Sequence, residues 1–222
     1  MYFLLFSALE SLVPTCKASV DLGFILDSSG SLSADYGKEK AFLKTLARSF
    51  EVNRNGTRAG VITFSSQVDH SIKLNDHSDI ASFEAAVDEI PLMGSTTRID
   101  RALRLAQVDM FSLVNGGRVG KPKILVLITD GSQTLDSDTE NPSQIAEEIR
   151  SAGIKLIVIG IGAGIDQDEL LRIAGDKNDV FSASSFEELI ASEFGNVVTK
   201  RSCTRGKMFS FLFQFFVVVA FK

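Results

Sequence analysis

The chain has 222 residues, enough for one domain with flanking ends. Hydrophobic residues make up 45% and charged residues 23%, a globular balance that excludes general disorder. With 23 Lys and Arg against 28 Asp and Glu the net charge is −5, and no basic stripe of the kind phosphate binding needs is present, which excludes nucleic acid as the main partner.

Residues 1–9 are apolar and are followed by Glu10 and Pro14, with neither a basic stretch before them nor a clear cleavage site. Segment 1–15 is therefore expected to be a short signal segment. A strand is predicted over 20–26. A helix over 38–50 follows, with Phe42, Leu46 and Phe50 on one face. Residues 60–64 form a second buried strand. Residues 68–74 alternate, with Val68, His70, Ile72 and Leu74 on one side, as an antiparallel partner at a sheet edge would. His70 is expected to be a half-buried, satisfied side chain.

A short helix over 80–90 ends at Pro91. A longer one starts near Arg98 and carries Ile99, Leu103, Ala106, Met110 and Leu113 on its apolar face. Residues 124–128 are wholly apolar, as a central parallel strand requires. Asn141-Pro142 opens the next helix as cap and first-turn proline. A strand over 154–161, a helix after Asp166, a strand over 180–183 and a helix from Phe186, with Ser185 and Glu188 as a capping box, complete the series. The expected fold is a doubly wound, mostly parallel α/β sheet with one antiparallel edge strand and helices on both faces.

Cys16 and Cys203 are the two cysteines and bracket these elements. They are read as a disulfide joining the ends of a 16–203 domain, with two unrelated thiols as the alternative. Such a bond would contribute on the order of 5 kcal/mol and requires an oxidising compartment. Segment 204–222 is a hydrophobic tail of open role. As a helix, its 208–221 stretch would span about 21 Å, short of a hydrocarbon core of about 30 Å. The removable tail of a lipid-anchor signal is one reading, and membrane contact is expected only if the tail is retained. Asn55-Gly56-Thr57 is a glycosylation sequon in a predicted turn.

In open sheets of this kind ligands bind beyond the carboxyl ends of the strands, where strand order reverses. The first strand runs into Asp27-Ser28-Ser29-Gly30-Ser31 and the central one into Thr129-Asp130-Gly131. A third loop, Gly94-Ser95-Thr96-Thr97, precedes the long helix at the same edge. Hydroxyls and carboxylates are hard oxygen donors, suited to a divalent cation. Mg²⁺ is the leading candidate, with Mn²⁺ or Ca²⁺ as alternatives. At most five protein contacts would leave one position for a partner's carboxylate. Gly160-Ile161-Gly162-Ala163-Gly164 lacks the dinucleotide spacing and is read as a loop near the metal rim.

Asp27-x-Ser29-x-Ser31, Thr97 and Thr129-Asp130-Gly131, in this order and with the run 20–27 around the first of them, resemble the von Willebrand factor type A domain and its metal-ion-dependent adhesion site. The resemblance covers about 16–203 and is closest to matrilin-like extracellular-matrix members. It implies that Ser29, Ser31 and Thr97 supply hydroxyl ligands and that Asp27 and Asp130 act largely through water. Tyr36, Arg98 and Gln133 follow the metal loops and are expected on the ligand rim.

The resemblance implies a secreted, non-enzymatic adhesion module. Its partner would be a matrix or cell-surface protein, collagen-like or other, that presents a carboxylate. One alternative is a structural matrix-assembly protein whose metal site is not used for recognition, with self-association left open. The other is an Asp-dependent phosphoryl-transfer enzyme. Phosphatases of that type carry an acid two residues beyond the nucleophile, where Ser29 stands here.

Overall fold

A computed structural model describes residues 19–191. Strands β1 (Asp21–Asp27), β2 (Arg58–Phe64), β3 (Val68–Ile72), β4 (Lys123–Thr129), β5 (Ile154–Ile161) and β6 (Val180–Ala183) form one sheet in the order β3-β2-β1-β4-β5-β6. Only the β2–β3 pair is antiparallel. Strand order reverses between β1 and β4, whose carboxyl ends are Asp27 and Thr129.

Side-chain alternation along the strands divides the core in two. Leu22, Phe24 and Leu26 of β1 and Ile124, Val126 and Ile128 of β4 face helices α1 (Tyr36–Arg48), α2 (Ile80–Glu89) and α6 (Phe186–Ala191). Ile25, Leu125 and Leu127 face α3 (Ile99–Leu105), α4 (Pro142–Ser151) and α5 (Gln167–Ala174). Both sheet faces are therefore covered, and the middles of the central strands β1 and β4 are apolar because neither side meets water.

The expected long helix is shorter and changes pitch. After α3 the backbone widens into a π-helical turn, Ala106–Met110. Met110 packs over Gly23 and Gly60, which sit in register on β1 and β2. A Cβ on Gly23 would lie 2.8 Å from Met110 Cγ, so the two glycines open the slot that Met110 fills. The wider turn ends the helical phase, and Leu113, expected on the buried face, is exposed. His70 Nδ1 lies 2.7 Å from Asp109 Oδ2 on this turn, while its Nε2 is buried without a hydrogen-bond partner.

At the amino edge of the sheet the buried Asp21 carboxylate accepts from Arg118 Nε and from the Arg118 N–H, at 2.7 Å each. Arg118 also donates to Ser19 Oγ, Val20 O and Gly56 O, which fastens the chain's entry to loop 111–122. Asn55 is exposed in the turn before β2, whereas Thr57 of the same sequon is buried. Segments 1–15 and 204–222, Cys16 and Cys203 lie outside the described residues. Among the described residues no helix is long and apolar enough to cross a membrane.

Candidate metal centre

Asp27 ends β1 with its side chain fully buried. Its Oδ1 accepts the Ser29 N–H at 2.9 Å, and its Oδ2 accepts the Thr129 hydroxyl at 2.6 Å. Thr129 in turn accepts the Gly131 N–H at 3.2 Å, so the turn after β4 is locked to the end of β1. Ser29 and Ser31 hydroxyl oxygens lie 3.0 Å apart, and Ser31 donates to Asp130 Oδ1 at 2.9 Å. Thr97 Oγ1 lies 3.6 Å from where a Cβ on Gly131 would stand, beside the turn that carries Asp130. The three loops thus bring Asp27, Ser29, Ser31, Thr97 and Asp130 to one edge of the crevice.

The loop carrying Thr97 is held in place by backbone bonds. Ser28 Oγ accepts the Met93 N–H at 2.7 Å, Ser28 O accepts the Gly94 N–H, and Gly30 donates to Ser95 O. The tight turn needs positive φ at Gly94 (67°) and also at Ser95 (101°), a strained value for a residue with a side chain.

The electrostatics of the edge favour a cation. Burial pushes Asp27 up to about 6, against the lowering effect of its bonds to Thr129 and Ser29, and Asp130 adds to the rise. Asp130 is raised as well, chiefly by burial. Behind them Glu39 of α1 is fully buried and neither carboxylate oxygen makes a well-formed hydrogen bond. Burial, then Asp27 and Asp130, hold it well above the usual carboxylate range. Glu39 is a buried neighbour of the candidate centre that the motif alone does not reveal. The available signal is its place on the apolar stripe Tyr36, Glu39, Phe42, Leu43, Leu46.

The donor set fits a hard divalent ion: two carboxylates and three hydroxyls, with negative charge that the low-dielectric surroundings leave poorly neutralised. Among the described residues there is no cluster of three or more His, Cys, Asp or Glu of metal-holding geometry, so the hydroxyls are essential to any such centre.

The structure places the three residues expected on the rim at buried positions. Tyr36 is buried, donates its hydroxyl to Pro91 O at 3.2 Å and has Lys40 over its ring, and burial pushes its phenol up to about 12. Arg98 binds both oxygens of buried Asp100 at 2.9 and 2.8 Å and reaches Asp138 at 2.8 Å. Gln133 exchanges bonds with Asp100 through its side chain and donates to Thr134 O. These side chains brace loop 131–141 and the Thr97 loop from beneath. Asp35, Lys38 and Glu187 line, with Ser31 and Asp130, a groove at this edge whose wall also holds Leu32, Ile161 and Phe186, and Leu92, Met93 and Leu135 are exposed on the loops before Thr97 and after Asp130.

A doubly wound α/β domain with an oxygen-donor centre at its topological switch point is the class that fold and site define. The von Willebrand factor type A domain model matches residues 21–194, and the chain belongs to that family. It is 30% identical over 197 residues to von Willebrand factor A domain-containing protein 2 of Xenopus laevis, covering 88% of this chain and 24% of that protein. It is 32% identical over 163 residues to Matrilin-1 of Mus musculus, covering 72% of this chain and 31% of that protein. Among solved structures, proximal thread matrix protein 1 from the mussel byssus, with its metal-ion-dependent adhesion site occupied by zinc, superposes with a TM-score of 0.75 at 28% identity. That match covers 85% of this chain and 47% of that one. The chain therefore spans a quarter to a half of these relatives.

Proposed function

We propose that this chain is an extracellular adhesion module. Asp27, Ser29, Ser31, Thr97 and Asp130 hold a divalent cation, and an acidic residue of a protein partner completes the site. The observation that carries this reading is the gathering at one edge of five hard oxygen side chains from three loops, one of them the buried, under-neutralised Asp27. When bound, the cation supplies Lewis acidity toward the incoming carboxylate. The chain's residues supply orientation: Thr129 and the Ser29 N–H fix both oxygens of Asp27, and Ser31 fixes Asp130. Mg²⁺ suits such a set best, and zinc in the mussel relative's site supports a divalent ion.

Relatives named as matrilin and as a byssal matrix protein support a matrix setting. A secreted protein would also be expected to carry the Cys16–Cys203 bond and a glycan on Asn55, both read out by mass spectrometry of the unreduced chain. The reading is non-enzymatic. Asp27 is buried with both oxygens engaged, a poor posture for a nucleophile.

The test is titration calorimetry of Mg²⁺ and Mn²⁺ into the full chain, beside Asp27→Ala and Asp130→Ala. Millimolar or tighter binding lost in both variants is the expected result. Binding that survives in both would overturn the assignment of the centre.

A further inference from the structure

The sequon Asn55-Gly56-Thr57 is divided by burial. Asn55 is exposed in the turn before β2, while Thr57 is only 1% exposed. Thr57 is drawn into the fold: it bridges Val52, and its carbonyl accepts the Asn53 N–H at 3.1 Å. The turn between them is fixed locally. Asn53 Oδ1 accepts the Asn55 and Gly56 N–H groups at 3.0 and 2.7 Å, and a Cβ on Gly56 would lie 2.5 Å from Asn53 Nδ2.

The lock on this turn comes from residues distant in sequence. Gly56 O accepts from Ser19 Oγ at 2.8 Å and from Arg118 Nη1 at 2.9 Å. Arg118 is itself held by the buried Asp21 carboxylate, through Nε and the backbone N–H at 2.7 Å each. The bond between Gly56 and Arg118 spans 62 residues. At a synthesis rate of about 5–20 residues per second, the group that closes the turn is made roughly 3–12 s after the sequon.

A transferase that glycosylates asparagine must reach the carboxamide and read the hydroxyl two residues on. The folded chain shows the first and hides the second. We infer that Asn55 is an acceptor only until the Ser19–Gly56–Arg118 clamp closes, so that its glycan is added to the growing or unfolded chain and not to the folded domain. The inference rests on the extracellular reading above, because only a translocated chain meets the enzyme. In the transfer, Asn55 Nδ2 bonds to the anomeric carbon of a lipid-diphosphate-linked oligosaccharide and gives up one proton to a base of the enzyme. The anomeric carbon–oxygen bond breaks, and the lipid diphosphate leaves with that electron pair. The folded turn can carry the glycan, since Asn55 stays exposed. It then stands at the amino edge of the sheet, one strand length or about 20 Å from the proposed centre.

The experiment uses the full chain made without glycan in a bacterial periplasm, incubated with a solubilised oligosaccharyltransferase and its lipid-linked donor. Its rate of modification is set beside those of a synthetic peptide of residues 49–61 and of the variants Arg118→Ala and Ser19→Ala, with folding followed by circular dichroism. The expected result is rapid modification of the peptide, modification of the folded wild type slower by about a hundredfold or more, and a gain of about tenfold in Arg118→Ala. Should Arg118→Ala not fold, Ser19→Ala, which removes one bond to Gly56, should still show a smaller gain. Asn55→Gln should abolish transfer and leave calorimetric Mg²⁺ affinity unchanged. Folded wild type modified at the peptide's rate would overturn the inference. So would a peptide that accepts no glycan, or folded variants as refractory as wild type. A chain that behaves as expected in vitro, yet stays unglycosylated inside cultured eukaryotic cells, would sink the extracellular reading alone and leave the lock standing.

Discussion

Asp27 and Glu39 are the buried carboxylates of the proposed centre whose charge burial penalises most. In its folded setting Asp27 titrates at about 6, against an ordinary 3.8, because burial penalises its charge. The folded chain therefore binds more protons than the unfolded chain between those values, and in chelator stability should fall as pH rises from about 4 through 6. The loss attributable to Asp27 is about 3 kcal/mol, and Glu39 acts in the same direction. Urea denaturation at pH 4.5 and 7.5, with and without Mg²⁺, checks this. Saturating Mg²⁺ should flatten the dependence, and equal stability at both pH values in chelator would refute it. Glu39→Gln keeps the shape of the side chain and removes its charge. It should raise stability at pH 7.5 in chelator by roughly 1–3 kcal/mol, measured by the same denaturation.

At the scale of the elements, the centre depends on a buried polar support between α3 and the loop after β4. Asp100 accepts from Arg98, Gln133 and the Glu140 N–H, which together pin loop 131–141 over Thr97. Arg98→Ala should destabilise the chain by about 3–5 kcal/mol, because it leaves Asp100 buried without its cation. Chemical denaturation reads the loss, and a change below about 1 kcal/mol would show that the support is redundant.

The glycine-rich turn after β5 makes a second element-scale demand. A Cβ on Gly164 would lie 2.7 Å from Asp130 O, so Gly164→Ala should push the Asp130 turn away and weaken Mg²⁺ binding. Calorimetry should show a loss of several-fold or more, whereas Gly162→Ala, with nothing within 4 Å of its Cβ, should affect chiefly backbone strain at its φ of 80°. Comparable Mg²⁺ affinity in wild type and Gly164→Ala would show that the turn has room to yield.

For the whole molecule, ligand linkage converts the centre into stability. A cation that binds only the folded chain stabilises it by about 2.7 kcal/mol at one hundred times its dissociation constant. Thermal unfolding should therefore shift upward with Mg²⁺, and the shift should be absent in Asp130→Ala. A shift of equal size in that variant would point to a cation site elsewhere.

The sequence by itself determined the sheet, because its signals are local. Apolar runs over 20–26, 124–128 and 154–161 mark strands buried on both faces, and 68–74 alternates as the antiparallel edge strand β3 does. It also located the strand ends where ligands gather, since topology alone sends Asp27 and Asp130 to the switch point. Tertiary structure decided what depends on groups distant in sequence. The π-turn that exposes Leu113 follows from the fit of Met110 over Gly23 and Gly60. The buried positions of Tyr36, Arg98 and Gln133 go with bonds to groups distant in sequence, Pro91 O, Asp138 and Asp100 respectively. The charge state of Asp27 depends on how completely neighbouring chain excludes water from it. Periodicity records which face of an element is apolar, but desolvation and hydrogen bonding at the centre arise only when separate loops meet.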